Sequence, residues 1–298
     1  MTTEPLPRTH PTDRGRARRL WHLVEPIHAV AYFSPEPIAA YATAGSKGFW
    51  MGYVASRAAP LGPVAAEPVI SLFANFHPRR IRRALPDAWA LTTPGAMLAA
   101  RSTGSAATLR RLWDAVEPAT LATLADRLSD LAEAAPSDGR GLFAANLTVP
   151  RPVDDIEALW RAATLLRKHR GDGHVAAYVV EGLTGIQANL LQVGTGRMSS
   201  ELLRTTRAWE PEEWQAEADR LRRWGLLDTA GAATEAGHDT LLRVEAATDR
   251  AAWGALATLA PAELDLLESQ LAPLARAVLA AGEVPVPNPM GLRPDSTS

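Results

Sequence analysis

An internal duplication is the feature of this sequence that most restricts its fold. Residues of distinctive type recur in the same order at a nearly constant separation. The recurring pairs are Trp21 and Trp160, Tyr41 and Tyr178, Gly45 and Gly182, Gly48 and Gly185, Trp113 and Trp253, and Asn146 and Asn288. Their separations run from 137 to 142 residues and drift only as small loop insertions would make them drift. Such a repeat predicts two copies of one structural unit.

The duplication sets the domain boundaries that we expect. The first copy covers residues 18–152 and the second covers residues 156–294. Residues 1–17 and 295–298 fall outside both copies, and we expect a disordered arm and a disordered tail there. With 298 residues, of which 47% are hydrophobic, the chain is long and apolar enough to bury a substantial core.

The composition excludes several kinds of site and partner. The chain contains no cysteine, so disulfides, thiolate metal sites and cysteine nucleophiles are excluded. Its formal net charge of −2 gives no general attraction to nucleic acid. No apolar run approaches the roughly 20 residues of a membrane-spanning helix, and the N-terminus lacks the apolar segment of a secretory signal. We therefore expect a cytoplasmic protein with no membrane partner.

The sequence motifs of the common cofactor and metal sites are missing. No P-loop, no dinucleotide-binding glycine fingerprint and no His-Glu-x-x-His pair occurs. His169 and His174 stand five residues apart, which is a poor interval for chelation on a helix. We expect no cofactor and no metal.

Helical periodicity is clearest in the second copy. Asp154 and Asp155 can cap a helix whose apolar face includes Leu159 and Leu166. The predicted helices run from Ile156 to Gly171, from Asp172 to Gly182, from Ile186 to Val193, from Ser199 to Arg207 and from Glu212 to Trp224. The sequence therefore predicts a mainly α fold.

The segment after Leu221 resembles the end of a winged helix of the MarR family. In that family a recognition helix ends in a Gly-Leu-Leu step, a β-wing follows, and a Thr-x-x-Gly step starts a long helix. Here residues 225–227, 228–233 and 234–237 occur in that order. At full length the chain resembles an actinobacterial family that carries a duplicated helix-turn-helix domain of poorly defined function, through the stretches 58–63, 167–175 and 287–292. The resemblance implies a tandem pseudo-two-fold repeat of winged-helix units with small β-wings, which is a pseudo-dimer within one chain.

A MarR-like regulator places two recognition helices in successive major grooves of DNA. The candidate helix of the first copy, residues 77–89, has a net charge of +3 from four arginines against one aspartate; the arginines are Arg79, Arg80, Arg82 and Arg83. The equivalent residues 211–224 have three arginines against four acids, a net −1, and the wing has no basic residue. DNA binding by the four arginines is therefore an alternative that the charges disfavour, because phosphate neutralisation supplies most non-specific affinity.

The densest polar segment of the chain is 169–174, between two predicted helices. Arg170 can clamp an anionic group, Asp172 can act as a base, and His169 and His174 titrate near neutral pH. A helix N-terminus at this turn would also favour an anion. The competing interpretation is a charged turn with Asp172 as the cap of the next helix.

The first copy offers further candidate ligand contacts. At an offset of 137 it has residues 32–37 where the second copy has 169–174, and His28 stands one helical turn before Tyr32. Arg57 lies in a Pro/Gly-rich segment suited to an ordered loop over a cleft. The paired Asn146 and Asn288 could bond a ligand or tie down their own loops.

These observations lead to two functional hypotheses. The first is a cofactor-independent enzyme of specialised metabolism that binds a small polar or anionic substrate in the cleft between the copies, with Asp172, His169 or His174 moving the proton. The alternative is a ligand-responsive, MarR-like transcription regulator. A further homo- or heterodimer is left open by the sequence.

Overall fold

The computed structural model describes residues 11–292, and almost every ordered element in them is a helix. The first half contains α1 (Pro11–Phe33), α2 (Pro35–Thr43), α3 (Gly48–Ala58), α4 (Ala66–Leu72), α5 (Pro78–Arg82), α6 (Pro94–Leu112), α7 (Pro118–Glu133) and α8 (Gly141–Leu147), with 3₁₀ helices at Ala59–Leu61 and Asp87–Ala90. The second half contains α9 (Asp155–Val180), α10 (Gly185–Gly194), α11 (Ser200–Arg207), α12 (Pro211–Arg223), α13 (Glu235–Trp253) and α14 (Pro261–Ala280). The prediction of a mainly α fold is confirmed.

Helix α9 lies at the centre of the molecule. It packs against α1, α6, α7, α8 and α13, and its side chains are buried on all sides over most of its length. Leu159, Trp160 and Leu165 are each at most 2% exposed. A helix that is buried all round belongs in the core of a larger structure. Together with α1, α7, α14 and the ends of α6 and α13, α9 forms the largest hydrophobic core, which we name the central bundle.

Two smaller cores flank the central bundle. The first lobe consists of α2–α6, and its core includes Val54, Phe73 and Ile81. The second lobe consists of α10–α13 and the C-terminal end of α9, and its core includes Leu191 and Leu221. The molecule therefore has one central bundle and two lobes.

The predicted turn at 171–172 does not exist, because α9 runs without interruption from Asp155 to Val180. A glycine in a helix interior costs only about 1 kcal/mol, and close packing offsets it here. A Cβ on Gly173 would lie 2.8 Å from Nη1 of Arg140 and 3.0 Å from Cβ of Ala251. The break falls instead in the first half, where α1 ends and α2 starts at Pro35.

The helix predictions for the second lobe are confirmed, apart from the wing. Ser199 and Thr234 cap α11 and α13 through their side chains, and Pro211 occupies the first turn of α12. The predicted wing is reduced in the described residues to one isolated antiparallel bridge between Leu227 and Ala233.

The predicted recognition helix of the first copy, residues 77–89, is wrong. Only the five residues of α5 are α-helical, and the 3₁₀ helix Asp87–Ala90 follows after a cis Leu85–Pro86 bond. Pro86 has no N–H to donate to a continuing helix.

The predicted terminal segments fall partly outside the described residues, which exclude 1–10 and 293–298. From Pro11 onwards the expected arm is instead the start of α1, and Nη2 of Arg16 lies 2.7 Å from Oδ1 of Asp265 on α14. The expected tail, 295–298, lies beyond the described part. None of the helices in residues 11–292 is both long and apolar enough to cross a membrane.

The close approach of α10 to the first lobe gives a test of the fold. A Cβ on Gly185 would lie 2.0 Å from the carbonyl oxygen of Ala74, a backbone atom that cannot rotate away. We expect Gly185→Ala to lower the free energy of unfolding by about 2 kcal/mol or more, measured by urea denaturation.

The matched control is Gly95→Ala, in the first turn of α6, where a Cβ would meet nothing closer than 4.0 Å. It should leave the stability unchanged or raise it slightly. Equal effects of the two substitutions would contradict the packing described here.

Candidate functional site

Two adjoining cavities lie between the central bundle and the second lobe. The outer chamber, about 440 Å³, is bounded by α1, α9, α10, α11, α13 and the loop at 289–291, and the inner chamber, about 130 Å³, extends toward α4 and α8. They share the wall residues Asn75, Arg167, Gly171, His174, Asn189 and Gln192. The site thus combines residues from both halves of the chain.

One face of α9 forms the wall common to both chambers. Arg167, Gly171 and His174 are spaced four and three residues apart, so they lie above one another on the helix. Tyr178 continues this face into the inner chamber. Because α9 is fixed along its whole length by the central bundle, these side chains are attached to a rigid support.

Two buried arginines of this site have no carboxylate within ion-pair distance in the described residues. Arg57 and Arg207 are 6% and 7% exposed. Nη1 of Arg57 donates to the Tyr53 hydroxyl at 2.8 Å, and Nη2 of Arg207 donates to the Pro289 carbonyl at 3.0 Å. The Nε atom of each is buried without a partner. A buried cation without a counter-ion is costly.

The two guanidinium groups are neighbours. The Cζ atoms of Arg57 and Arg207 lie 5.7 and 4.3 Å from the ring centre of Phe76. Burial lowers the pKa of Arg207 to about 10, and the nearby charges of Arg57 and Arg167 act in the same direction. Burial, followed by the same two arginines, also lowers the pKa of Lys168 well below its usual range. This interior is electropositive.

The other arginines on the chamber walls have carboxylate partners. Nε of Arg167 lies 3.2 Å from Glu25, and Nη1 of Arg170 lies 2.7 Å from Asp249. Arg18 joins the second pair from α1, 2.7 Å from Asp249. Arg170 was predicted to clamp a ligand, but its charge is largely neutralised by this ion pair.

Asp172 does not cap its own helix as one interpretation of the sequence held. Its Oδ2 accepts hydrogen bonds from the backbone N–H groups of Leu142 and Phe143, at 2.9 and 2.8 Å, and so caps the start of α8. Asp172 also lies on the wall of the inner chamber. Burial raises its pKa, although the two amides oppose this shift.

The two predicted catalytic histidines lie in different surroundings. His174 lines both chambers, and its Nδ1 lies 3.0 Å from the hydroxyl of Thr248. His169 lines neither chamber; it is 1% exposed and its ring meets the ring edge of Phe143. Burial lowers its pKa to about 4, with the charge of Arg140 acting in the same direction. The structure does not bring the two histidines together.

The remaining candidates of the first copy lie beneath the cavity floor. Nε2 of His28 lies 2.7 Å from the hydroxyl of Tyr32, which also accepts from Nζ of Lys168 at 3.1 Å. Burial lowers the pKa of His28 well below its usual value. Neither His28 nor Tyr32 lines a chamber. Both belong to a polar cluster inside the central bundle.

The paired asparagines bond to the protein itself. Oδ1 of Asn146 accepts from Arg101 at 3.1 Å, and its Nδ2 donates to the Leu142 carbonyl at 2.7 Å. Oδ1 of Asn288 accepts from the N–H groups of Met290 and Leu292 in its own loop. Both side chains therefore have their hydrogen bonds supplied from within the fold.

The arginine-rich segment around α5 contacts the second lobe, and we name this contact the inter-lobe clasp. Arg79 bonds to the Ala208 carbonyl and pairs with Glu210, and Arg80 donates to the Thr205 carbonyl at 3.2 Å. His77 lies 3.0 Å from Glu213 at the start of α12. Arg82 pairs with Glu67 in its own lobe, and Arg83 is exposed.

Several wall residues escaped the sequence analysis, namely Arg167, Arg207, Tyr178, Asn189 and Gln192. Arg207 is the last residue of a short helix and resembles an ordinary surface arginine in the sequence. Tyr178 was recognised only as a repeated packing residue. Its pairing with Tyr41 was the one available pattern, because a repeated tyrosine can retain its place while its hydroxyl changes partners.

The chain belongs to a helix-turn-helix family, whose model matches residues 17–285. No curated protein and no solved structure matches the chain.

The position of His169 predicts a pH dependence of stability. Its pKa is about 4 in the folded chain against an ordinary value of 6.5, so the unfolded state binds more protons between these values. The folded state therefore loses stability as the pH falls from about 6.5 to about 4. We expect His169→Gln to reduce the stability lost between pH 7 and pH 5 by about 2 kcal/mol, measured by urea denaturation.

The control is His238→Gln, at an exposed position of α13, which should keep the wild-type pH dependence. An unchanged slope in the His169 variant would show that this ring titrates normally and is not buried as described.

Proposed function

We propose that this protein binds a small anionic molecule in the two-chambered cavity. The observation that supports this most is the pair Arg57 and Arg207, two buried guanidinium groups beside Phe76 with no carboxylate in ion-pair distance among the described residues. An anion between them would supply the missing charge, and charge-assisted hydrogen bonds are the stronger kind.

Three features make the cavity suitable for such a ligand. Arg167 is held beside the two arginines by Glu25, so a third cation contributes without being free to move away. The side chains of Asn189 and Gln192 offer polar contacts on the opposite wall. A combined volume of several hundred Å³ is in the range of small-molecule sites.

We propose binding in place of catalysis as the primary role of the cavity. Of the three predicted catalytic residues, His169 lies outside both chambers, and one oxygen of Asp172 is occupied by the amides of α8. His174 and the second oxygen of Asp172 are the groups that remain for proton transfer to a bound molecule.

We further propose that residues 18–152 and 156–294 are diverged copies of one MarR-like unit. Each half contributes a long helix to the central bundle and then a lobe of short helices, followed by two long helices, α6 and α7 or α13 and α14. The order of elements agrees with the order of repeated residues. Trp21 and Trp160 are in corresponding helices, as are Trp113 and Trp253.

Anion titration tests the binding proposal. Inorganic phosphate and sulfate should raise the melting temperature at constant ionic strength, with chloride as the reference. We expect Arg57→Met and Arg207→Met each to weaken this stabilisation at least tenfold in apparent Kd, since a hydrogen bond to a charged group contributes about 1.5–3 kcal/mol. The ligand-free variants should melt higher than the wild type, because a buried unpaired charge has been removed.

Arg243→Met is the matched control, because it removes one arginine from the exposed surface of α13, where Arg243 pairs with Glu181. It should keep the wild-type response to phosphate. If all three variants respond alike, the anion binds elsewhere.

DNA binding is the second candidate, and membership of a helix-turn-helix family favours it. The inter-lobe clasp argues against the two-groove mode, because Arg79 and Arg80 are engaged with the second lobe. The exposed start of α12 carries Glu212 and Glu213, which would face the phosphates. Arg82 and Arg83 are the arginines of this segment that do not contact the second lobe.

Fluorescence anisotropy with a labelled random duplex separates the two candidates. We expect no salt-sensitive binding by the wild-type protein at low salt. Binding that weakens steeply with salt, and whose salt dependence falls by about two phosphate contacts in the Arg82→Ala/Arg83→Ala double variant, would instead establish the regulator.

A further inference from the structure

The inner chamber has the walls of a hydrocarbon site with one unused hydrogen-bond donor. Its apolar lining is Leu72, Phe73, Leu142, Val175, Leu183 and Val244. A protein cavity of about 150 Å³ lined by such side chains accepts benzene, and this chamber holds about 130 Å³. It therefore has room for a compact hydrocarbon group of about six carbons.

The donor is the hydroxyl of Tyr178. The side chain is 3% exposed and lies on the chamber wall, and its oxygen is buried without a hydrogen-bond partner. Burial raises the pKa of this hydroxyl to about 12, so it carries its proton. A buried hydroxyl without a partner costs free energy that a ligand acceptor can recover.

The duplication shows that both features are particular to the second half. Tyr41, the counterpart of Tyr178, donates to the Ala31 carbonyl at 2.9 Å. The counterparts of the wall residues His174 and Val244 are Pro37 and Gly104, which are in close contact: a Cβ on Gly104 would lie 2.5 Å from Cα of Pro37. In the first half these two helices meet, and in the second they enclose the chamber.

The acidic end of the ligand has a different place. Arg57 lies on the inner wall, Arg207 lies on the outer wall, and Arg167 lines both chambers. The three cations mark the junction of the chambers. A ligand with its acidic group at this junction would have one direction to extend into hydrocarbon surroundings, toward Val244 and Tyr178.

We propose that the ligand is an amphipathic acid: an acidic group bound at the junction, joined to a compact hydrocarbon part of up to about six carbons that fills the inner chamber and presents a hydrogen-bond acceptor, such as a ketone oxygen, to Tyr178. This inference rests on the proposed anion site and specifies the class of molecule that the site selects.

A series of straight-chain carboxylates from acetate to decanoate tests the chamber, with apparent Kd values from thermal shifts and calorimetry. Affinity should rise about fourfold per methylene group and then level off once the chamber is full. Leu183→Ala should extend the rise to longer chains, and Leu183→Trp should end it earlier. Both variants should bind inorganic phosphate as the wild type does, which also shows that they are folded.

A second comparison tests the hydroxyl. Wild-type protein should bind 5-oxohexanoate several-fold more tightly than hexanoate, and Tyr178→Phe should lose this preference while it keeps the response to phosphate. Tyr41→Phe is the matched control, and it should keep the preference.

The outcomes separate the two levels of the argument. If phosphate and every carboxylate fail to bind, the anion site itself is wrong. If phosphate binds but affinity does not depend on chain length, or if Tyr178→Phe retains the oxo-acid preference, the amphipathic-acid proposal is wrong and the anion site stands.

Discussion

The burial of α9 on all sides is the interaction on which the rest of the structure depends. Its N-terminal part is packed by helices of the central bundle, and its C-terminal end belongs to the core of the second lobe. One rigid element therefore supports both the largest core and the wall of the cavity. Arg167, His174 and Tyr178 owe their positions to this helix, so a site between two lobes does not depend on mobile loops for its shape.

The two halves differ where their long helices bend. The chain breaks at Ser34 between α1 and α2, and this break brings Pro37 against Gly104. At the related position α9 continues straight, and the space beside it remains open as the inner chamber. A difference in one helix, between copies whose packing residues otherwise correspond, accounts for a cavity on one side of the molecule.

Electrostatics gives the two sides of the second lobe different character. Toward the cavity the wall includes Arg57 and Arg207, whose charges are not matched by carboxylates in the described residues. Toward the first lobe, Glu210 and Glu213 receive Arg79 and His77 in the inter-lobe clasp. Positive charge is thus concentrated in the interior and partly neutralised on the surface that a helix-turn-helix protein would turn toward DNA. An internal anion suits this distribution better than a duplex does.

The sequence by itself determined the mainly α fold and the bounds of α10–α13, because caps such as Ser199 and Thr234 and the first-turn Pro211 act within a few residues of the chain. It also pointed to an anionic ligand between the copies, although it placed the site at 169–174. Only the tertiary structure decided that α9 is continuous, since the cost of two helical glycines is about 2 kcal/mol and packing against other helices exceeds it. The cavity likewise required the folded chain, because Arg57 and Arg207 are 150 residues apart in sequence and meet only at the ring of Phe76. Local patterns report local energies, whereas a buried pair of like charges arises from contacts that no local pattern contains.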